Sequence, residues 1–332
     1  MGYRLSLLEK SPIDEGESAS GALKRTLELA QKAERWGYHR FWLAEHHNTD
    51  KLAISSPEVV IAWILAHTQR IRVGSGGVML QHYSPYKVAE NFNVLSSLAP
   101  GRVDLGVGKA PGGLPLSTRA LQYAVDPALK GDFADQLRLL DDWLNAKPND
   151  TQGDTLFATP LPPQSAGRFL LGASEQSARL AASLNWNFVF AAHLNGDQTE
   201  IGRTLSAYTH DSQGRRALLA VSVIVAETAA KAEELAADKQ AFRVIGSDGQ
   251  SVTVGSVAQA EAYIRQSTAA SHKIEERVSS IITGTAEQVH HQLEELQARY
   301  GVEEFVIDTP LAQPQARLAS LELLAAESRA LA

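Results

Sequence analysis

Apolar and polar positions follow two periods along the chain, and these periods predict strands and helices in alternation. Eight short runs are apolar at consecutive positions, as expected for strands that are buried on both faces of a parallel sheet. Between these runs, apolar residues recur every three to four positions, as on the buried face of an amphipathic helix. The predicted strands are residues 3–8, 38–44, 71–80, 102–108, 168–174, 187–192, 218–227 and 304–309.

Each predicted strand is followed by a helical pattern. Thr285 and Gln288 form a capping-box pair at the start of one such helix. The predicted helices are residues 22–35, 58–67, 86–98, 130–146, 175–184, 198–210, 228–240, 286–300 and 313–330. Eight strand–helix units fit a closed barrel better than an open sheet, which usually has fewer strands. We therefore predict an α/β fold, a single (β/α)8 TIM barrel that forms one domain over residues 1–332.

One segment, residues 241–283, shows no clear element and is rich in glycine and serine. A stretch of this length without its own secondary structure is usually an active-site lid, a binding loop or a disordered insertion. It follows the seventh predicted strand, on the face where TIM barrels carry their active sites. We therefore expect an insertion that acts as a lid.

Composition and charge narrow the function classes. The 332 residues are 44% hydrophobic and include no cysteine, which excludes disulfides, cysteine-ligated zinc, iron–sulfur clusters and thiol catalysis. The net charge is −7 and the basic residues are dispersed, so no nucleic-acid partner is expected. No apolar run approaches the ~18 residues that span a bilayer, and no signal-peptide pattern is visible. We expect a cytoplasmic protein without a membrane partner.

The first chemical candidate is the run Glu45, His46 and His47 at the end of the second predicted strand. Strand alternation directs Glu45 and His47 to one side and His46 to the other, so the two histidines are poor joint metal ligands. No H-x-x-x-H or H-x-x-E-H pattern supports a metal site, and none is predicted. Acid–base chemistry and a structural strand end both remain open, since histidine titrates near neutral pH but also caps backbone groups.

Glycines and serines at strand ends are the second candidate. Gly76 and Gly77 fall inside a predicted strand, where glycine contributes no side-chain packing. Either tight packing or the close approach of a flat ligand explains them equally well. No dinucleotide fingerprint and no P-loop is present.

A possible anion site lies where the fifth predicted strand meets its helix. Ser174 alone fits a helix cap, but Ser177 is not explained that way, and both hydroxyls with nearby amides could bind an anion. Lys109, at the end of the fourth strand, could supply the countercharge. Glu175 suits the first turn of a helix, although its carboxylate would repel a phosphate if it pointed inward. Together these residues predict a phosphate-bearing ligand over the barrel mouth.

Five segments in order along the chain carry a family resemblance. The sequence resembles the bacterial luciferase-like flavin monooxygenases in RFWLAEHHN (40–48), RVGSGGVMLQHYSPYKVAENFNVL (72–95), GRVDLGVGKAPGG (101–113), LLGASEQSARLAASL (170–184) and GTAEQVHHQLEELQARYGVEEFVI (284–307). The resemblance implies a (β/α)8 barrel that uses FMN, reduced by a separate flavin reductase. The reduced flavin would react with dioxygen to give a peroxyflavin that oxygenates a small organic substrate. Candidate substrates are aldehydes, alkanesulfonates, and thioethers or S-substituted cysteines.

The resemblance also assigns roles to single residues. His46 matches the active-site histidine implicated in proton transfer, and Gly76-Gly77 matches a non-prolyl cis peptide beneath the flavin ring. Lys109 stands where luciferase has a phosphate-binding arginine. The lysine offers a point charge in place of the arginine's bidentate donor. The other matched cofactor positions are Glu90, Ser174, Glu175, Gln176 and Ser177, with the backbone amide of Glu175 expected to act rather than its carboxylate.

The resemblance leaves other functions open. A hydride-transfer oxidoreductase that uses a deazaflavin shares this barrel, and so does a flavin-binding protein without catalysis. A metal-dependent barrel hydrolase is the weakest alternative, because the sequence has no H-x-H at the end of an early strand. Relatives are usually oligomeric, and the exposed faces near residues 58–67 and 86–98 are rich in apolar residues. A homodimer or higher homo-oligomer is therefore expected.

Overall fold

A computed structural model describes residues 2–146, 156–237, 239–249, 251–278 and 280–330. Within these residues eight parallel strands pair in the order β13-β1-β2-β3-β5-β6-β7-β8, and β8 pairs back with β13 to close a barrel. The strands are β1 (Arg4–Glu9), β2 (Arg40–Leu43), β3 (Arg72–Ser75), β4 (Val78–Met79), β5 (Val103–Gly108), β6 (Gly167–Gly172), β7 (Asn187–Ala191), β8 (Leu218–Val225), β9 (Gln240–Gly246), β10 (Ser251–Val254), β11 (His272–Val278), β12 (Ile281–Gly284) and β13 (Glu304–Asp308). The predicted TIM barrel is confirmed.

Helices connect the barrel strands and cover their outer surface. They are α1 (Ala19–Trp36), α2 (Pro57–His67), α3 (Pro85–Leu98), α4 (Pro115–Leu121), α5 (Pro127–Lys130), α6 (Phe133–Asn145), α7 (Glu175–Ser183), α8 (Gln198–Asp211), α9 (Ala229–Ala236), α10 (Val257–Gln266), α11 (Ala286–Tyr300) and α12 (Pro314–Ala330). The capping box at the start of α11 is present, with Thr285 accepting from the Gln288 amide. No helix in the described ranges is long and apolar enough to cross a membrane.

The prediction of a single strand over residues 71–80 is wrong in one respect. It is divided into β3 and β4 at the Gly76-Gly77 peptide bond, which is cis as the resemblance implied. Both short strands still pair with β5, so the division leaves the barrel closed.

The segment 241–283 is structured, contrary to the prediction that it lacks clear elements. Strands β10, β9 and β11 form a separate antiparallel sheet, and α10 packs on it through Val244, Ala260 and Tyr263. The predicted helix 228–240 ends at Ala236 because the chain then turns into β9. Residues 250 and 279 of this segment, and residue 238 of that helix, lie outside the described residues. The lid role of the segment and the assignment of one domain to residues 1–332 stay predictions.

The insertion rests against the loop that follows β5. Leu114 packs against the insertion's small apolar core. The Gln266 side chain accepts a hydrogen bond from the Leu116 amide at 3.1 Å, and Arg119 donates to the Gln266 carbonyl at 3.3 Å. The insertion and the loop that follows β5 are therefore in contact.

Inside the barrel, the lowest layer is a buried ion-pair network. Asp104 accepts hydrogen bonds from Arg72 at 2.5 and 2.9 Å and from Arg40 at 3.0 Å, and Arg40 also pairs with Glu304. Buried carboxylates are stable only when paired and hydrogen-bonded, and here each faces at least one guanidinium. The network joins β2, β3, β5 and β13 at their amino ends.

Above this layer the barrel is filled by apolar side chains. Strand alternation brings every second residue inward, and these residues form one buried cluster. The cluster consists of Leu8, Trp42, Ala44, Phe169, Val189, Leu218, Ala220 and Val306. Trp42 is its largest member, 2% exposed, with its ring edge-on to Phe169 at 5.0 Å. It forms the floor beneath the barrel mouth.

Glycine allows β3 and β5 to approach closely beside Trp42. A Cβ atom on Gly106 would lie 2.1 Å from the Ser75 carbonyl oxygen, and one on Gly74 would lie 2.5 Å from the Asp104 carbonyl oxygen. Both distances are far below van der Waals contact, so any side chain would force the strands apart. The glycines of "GSGG" and "LGVG" therefore have a packing role in addition to any contact with a ligand.

Candidate active site

Four polar side chains converge at the carboxyl ends of neighbouring barrel strands. Lys10 follows β1, His46 follows β2, His193 follows β7, and Asp308 ends β13. Alternation explains why three of them point toward the mouth, since Lys10, His46 and Asp308 each lie two residues beyond an inward-facing member of the apolar cluster. His193 lies in the turn that follows β7. We call this set the polar arc.

The centre of the polar arc is an ion pair. Lys10 Nζ lies 2.8 and 2.9 Å from the two carboxylate oxygens of Asp308, which is 4% exposed. Burial alone would raise the pKa of Asp308, but the charge and hydrogen bond of the Lys10 ammonium hold it below its ordinary value. Ser222 Oγ also donates to this carboxylate at 3.4 Å. Asp308 is therefore ionised, and the pair as a whole is neutral.

The two histidines flank this ion pair and are both neutral at pH 7. Burial, with smaller effects from Lys10 and His47, lowers the pKa of His46 to about 4, and Asp308 partly opposes this shift. Burial likewise lowers the pKa of His193 to about 4, against the opposing effect of Asp308. The Nδ1 atom of each ring is buried and has no hydrogen-bond partner among the described residues. Such imidazoles retain their capacity to accept or donate a proton.

Glu45 and His47 point away from His46, as strand alternation predicted. The Glu45 carboxylate accepts hydrogen bonds from His47 Nε2 at 2.7 Å, from the Tyr83 hydroxyl at 2.8 Å and from the Met79 amide at 3.2 Å. Burial and the Glu45 charge raise the pKa of Tyr83 above its ordinary value, so the phenol stays protonated. The structural interpretation fits Glu45 and His47, while His46 alone of the three faces the polar arc.

The other half of the mouth is formed by glycines. Gly76 and Gly77 lie between β3 and β4, Gly106 and Gly108 are in β5, and Gly172 ends β6. A Cβ on Gly77 would lie 3.0 Å from the Gly106 carbonyl oxygen, and one on Gly172 would lie 2.7 Å from Ser177 Cβ. In this glycine arc Gly76 and Gly172 are partly exposed, whereas Gly77, Gly106 and Gly108 are buried against neighbouring residues. These positions contribute no side chain to this half of the mouth, a property that suits a flat aromatic ring system.

The Ser174–Ser177 turn has the features of an anion site. Ser174 caps α7 and accepts from the Ser177 amide at 3.3 Å, and the two hydroxyls lie 3.1 Å apart. The Glu175 carboxylate accepts from Arg179 at 2.6 and 3.0 Å and lies 3.4 Å from Arg203. It is therefore directed along the helix surface toward cations, and only its backbone amide is left for a ligand. Gln176, beside it in the first turn, is exposed.

Two predicted cofactor residues lie apart from this turn. Lys109 is exposed immediately after β5, at the strand end that the phosphate hypothesis requires. Glu90 lies on α3 in the ring of helices, where its carboxylate accepts a hydrogen bond from Lys87 at 3.0 Å. An ion pair of this spacing within one helix fits a structural role for Glu90. A role for it in cofactor binding stays a prediction.

Sequence reasoning did not find Lys10, His193 and Asp308. A signal was present, because each lies at or just beyond the end of an apolar run, in register with inward positions. In the described part of the chain, no group of three or more histidine, cysteine, aspartate or glutamate side chains is arranged to hold a metal ion.

Comparison with known proteins places this site in context. The family model described as luciferase-like monooxygenase matches residues 4–304. The N-acetyl-S-alkylcysteine monooxygenase of Bacillus subtilis (strain 168) is 44% identical over 325 residues, which are 97% of each chain.

Solved structures share the fold over nearly their full length. The structure of apo-MsnO8 has a TM-score of 0.79 at 30% identity, covering 98% of both chains. The oxygenating constituent of 3,6-diketocamphane monooxygenase from Pseudomonas putida, solved with FMN, has a TM-score of 0.69 at 17% identity, covering 98% of both chains. An F420-dependent secondary alcohol dehydrogenase has a TM-score of 0.66 at 14% identity, covering 97% of this chain and 98% of that one. The last two show similarity of fold alone.

The lowered pKa values of the two mouth histidines predict a pH-dependent stability. Histidines in the unfolded chain bind protons below about pH 6.5, whereas His46 and His193 in the folded chain do so only near pH 4. The unfolded state therefore binds more protons in this window, and stability falls as the pH is lowered through it. We expect urea unfolding to show a smaller loss between pH 7 and 5 in the His46→Gln/His193→Gln double variant than in the wild type. An equal loss of stability in the wild type and the double variant would contradict the lowered pKa values of these two histidines. The control is the exposed His291→Gln variant, which should lose as much stability as the wild type.

Proposed function

Since the chain belongs to the luciferase-like monooxygenase family, we propose that it is an FMN-dependent monooxygenase of small N-acylated S-alkylcysteines. The observation that carries the substrate class is the 44% identity, over 97% of both chains, to an N-acetyl-S-alkylcysteine monooxygenase. The other candidate substrates, aldehydes and alkanesulfonates, have no comparable support. The cytoplasmic location expected from the sequence stays a prediction.

The reaction requires two electrons and dioxygen. When bound, reduced FMN would supply the two electrons, so that one oxygen atom of dioxygen is added to the thioether sulfur, the other leaves as water and the FMN is left oxidised. The family resemblance implies that a separate flavin reductase would reduce the FMN again.

The residues at the mouth fit this cofactor. The glycine arc offers backbone to a flat isoalloxazine ring, and Ser174, Ser177 and the first amides of α7 offer donors to its phosphate. Lys109 adds a positive charge near the same strand ends. The fit depends on two separate features. One is the glycine arc, which adds no side chains to the mouth, and the other is the N-terminus of α7 with its Ser174 cap.

His46 would hold or move a proton beside the reacting atoms. It is neutral, its Nδ1 is buried and has no partner in the described residues, and burial is the largest cause of its lowered pKa. A neutral imidazole can accept a proton at pH 7 without first losing one. Water exclusion also matters, because activated oxygen in a wet site is released as hydrogen peroxide. The insertion 241–283 is our proposed lid over this site.

The first prediction from the proposed function concerns turnover. Photoreduced FMN, the protein and N-acetyl-S-methylcysteine are mixed rapidly with oxygenated buffer, the flavin spectrum is followed, and oxygenated thioether and hydrogen peroxide are quantified. We expect one oxygenated product per flavin oxidised. His46→Ala should divert most electrons to peroxide and lower product formation by about 10²-fold or more, the usual effect of losing an acid–base group. Exposed His291→Ala should behave as the wild type does.

Two other results would replace this proposal. Tight binding of a deazaflavin with hydride transfer and no oxygen uptake would establish the hydride-transfer alternative, which shares the fold. Flavin reoxidation at the rate seen in free solution, with and without the thioether, would indicate a binding protein without catalysis.

The second prediction isolates the phosphate site. FMN and riboflavin differ by the phosphate, so their dissociation constants for one variant separate ring binding from phosphate binding. Ser177→Ala and Lys109→Ala should each weaken FMN binding by about tenfold, since charge-assisted hydrogen bonds are lost. Riboflavin binding should be unchanged. Ser183→Ala, at the other end of α7, is the control. Equal weakening of both flavins would show that these residues do not contact the phosphate.

A homodimer through α2 and α3 is the proposed assembly. Val59 is 67% exposed on α2, and Leu98 and Val94 are 69% and 44% exposed one turn apart on α3. The two helices are neighbours, with Val59 near the start of α2 and Val94 and Leu98 near the end of α3. Exposed apolar side chains on neighbouring helices are typical of subunit interfaces.

The third prediction tests this surface. Light scattering on the wild type should give twice the 35.9 kDa mass of one chain. A Val59→Glu/Leu98→Glu variant should give the monomer mass, because the charges would be buried without partners. Leu116→Glu, equally drastic but on α4, should leave the dimer intact. A wild-type monomer, or a dimer that survives the double substitution, would rule out this interface.

A further inference from the structure

His193 is a polar residue of the mouth to which the family resemblance gives no role. Its backbone amide donates to the Ala220 carbonyl at 2.9 Å, which fixes the residue against β8 just past the end of β7. The strand order β2-β1-β13-β8-β7 then places His46 and His193 at opposite ends of the polar arc. Between them lies the Lys10–Asp308 ion pair, whose charges affect the pKa values of both histidines.

Buried histidines with a structural role look different in this chain. His290 bonds the Tyr3 hydroxyl through Nδ1 at 2.7 Å and the Leu324 carbonyl through Nε2 at 2.9 Å. His82 likewise bonds Gln122 through Nδ1 and the Pro111 carbonyl through Nε2. His193 has a buried Nδ1 without a partner in the described residues, a property it shares with His46. A buried donor or acceptor left unpaired is costly, so such an atom indicates a group that a ligand satisfies.

The charges around His193 indicate what kind of ligand atom it would meet. Asp308 is already paired with Lys10, so the polar arc offers no free cation to a carboxylate and no free carboxylate to an ammonium group. A neutral imidazole in neutral surroundings best matches an uncharged hydrogen-bonding group. In an N-acylated S-alkylcysteine, the uncharged polar group is the amide, and its carbonyl oxygen is the stronger acceptor.

We infer that His193 donates a ring N–H to the acyl oxygen of the substrate and thereby selects N-acylated cysteine thioethers over those with a free amino group. This inference rests on the proposed function, because it concerns the substrate of that same site. A free α-amino group is charged at pH 7, so the unacylated compound would place an ammonium beside a polar arc that has no unpaired anion for it. His193 thus acts in specificity, while His46 serves the reaction.

The test compares two substrates in matched variants. We measure kcat and KM for N-acetyl-S-methylcysteine and for S-methylcysteine in the wild type, His193→Leu, His193→Asn and the exposed control His291→Leu. The wild type should favour the acetylated compound, and His193→Leu should lower that preference by about tenfold or more, mainly through KM. His193→Asn, which keeps a donor, should restore part of the preference. FMN affinity should be unchanged in every variant.

A binding measurement that needs no turnover separates this inference from the proposed function. Nitrogen-15 NMR of the histidine rings, with His193 assigned from its variants, is followed during addition of each thioether to the wild type. N-acetyl-S-methylcysteine should shift the His193 ring nitrogens, and S-methylcysteine should not. If oxygenation fails but this shift is seen, the substrate contact stands and the proposed reaction falls.

Three results would overturn the inference. The preference for the acetylated thioether could be the same in His193→Leu as in the wild type, or the acetylated thioether could leave the His193 resonances unmoved. A loss of FMN affinity in both His193 variants, with thermal unfolding midpoints kept, would show instead that the imidazole contacts the flavin.

Discussion

The close approach of β3 and β5 is the constraint on which the mouth of this barrel depends. Because Gly74 and Gly106 have no side chains, the two strands lie nearer than any other residue would allow, and Trp42 packs against their bare backbone. This packing fills the barrel interior and places Trp42 directly beneath the barrel mouth. The same absence of side chains continues upward through Gly76, Gly77 and Gly108. One sequence feature therefore supports both the packed interior and a surface suited to a flat ring.

Charge is balanced separately at the two ends of the barrel. At the amino ends, Arg40 and Arg72 neutralise Asp104 and Glu304, and at the carboxyl ends Lys10 neutralises Asp308. The apolar cluster around Trp42 lies between these layers. Because the charges of both layers are paired, burial is the largest cause of the lowered pKa values of His46 and His193. The neutrality of the polar arc thus depends on strands from both ends of the chain and not on one residue.

The sequence could predict features that depend on neighbours along the chain. Strand–helix alternation determines the fold class, and local patterns identified His46, the Gly76-Gly77 pair and the serine turn of α7. The partnership of Lys10 and Asp308 could not be predicted, since 298 positions separate them and only barrel closure brings β1 beside β13. The insertion was predicted, but its secondary structure was missed for another reason. Its strand β10, SVTV, has only four residues, the shortest run over which alternation is a signal.

The same ion pair has a consequence for how the protein is made. Lys10 emerges from the ribosome near the start of synthesis and Asp308 near its end, so the lysine has no native partner while most of the chain is being translated. The final strand also supplies Glu304 to the lower network. A nascent chain that stops before β13 would lack the anion that pairs with Lys10, and Arg40 would keep only its contact with Asp104. The polar arc is therefore completed only after the final strand has been synthesised.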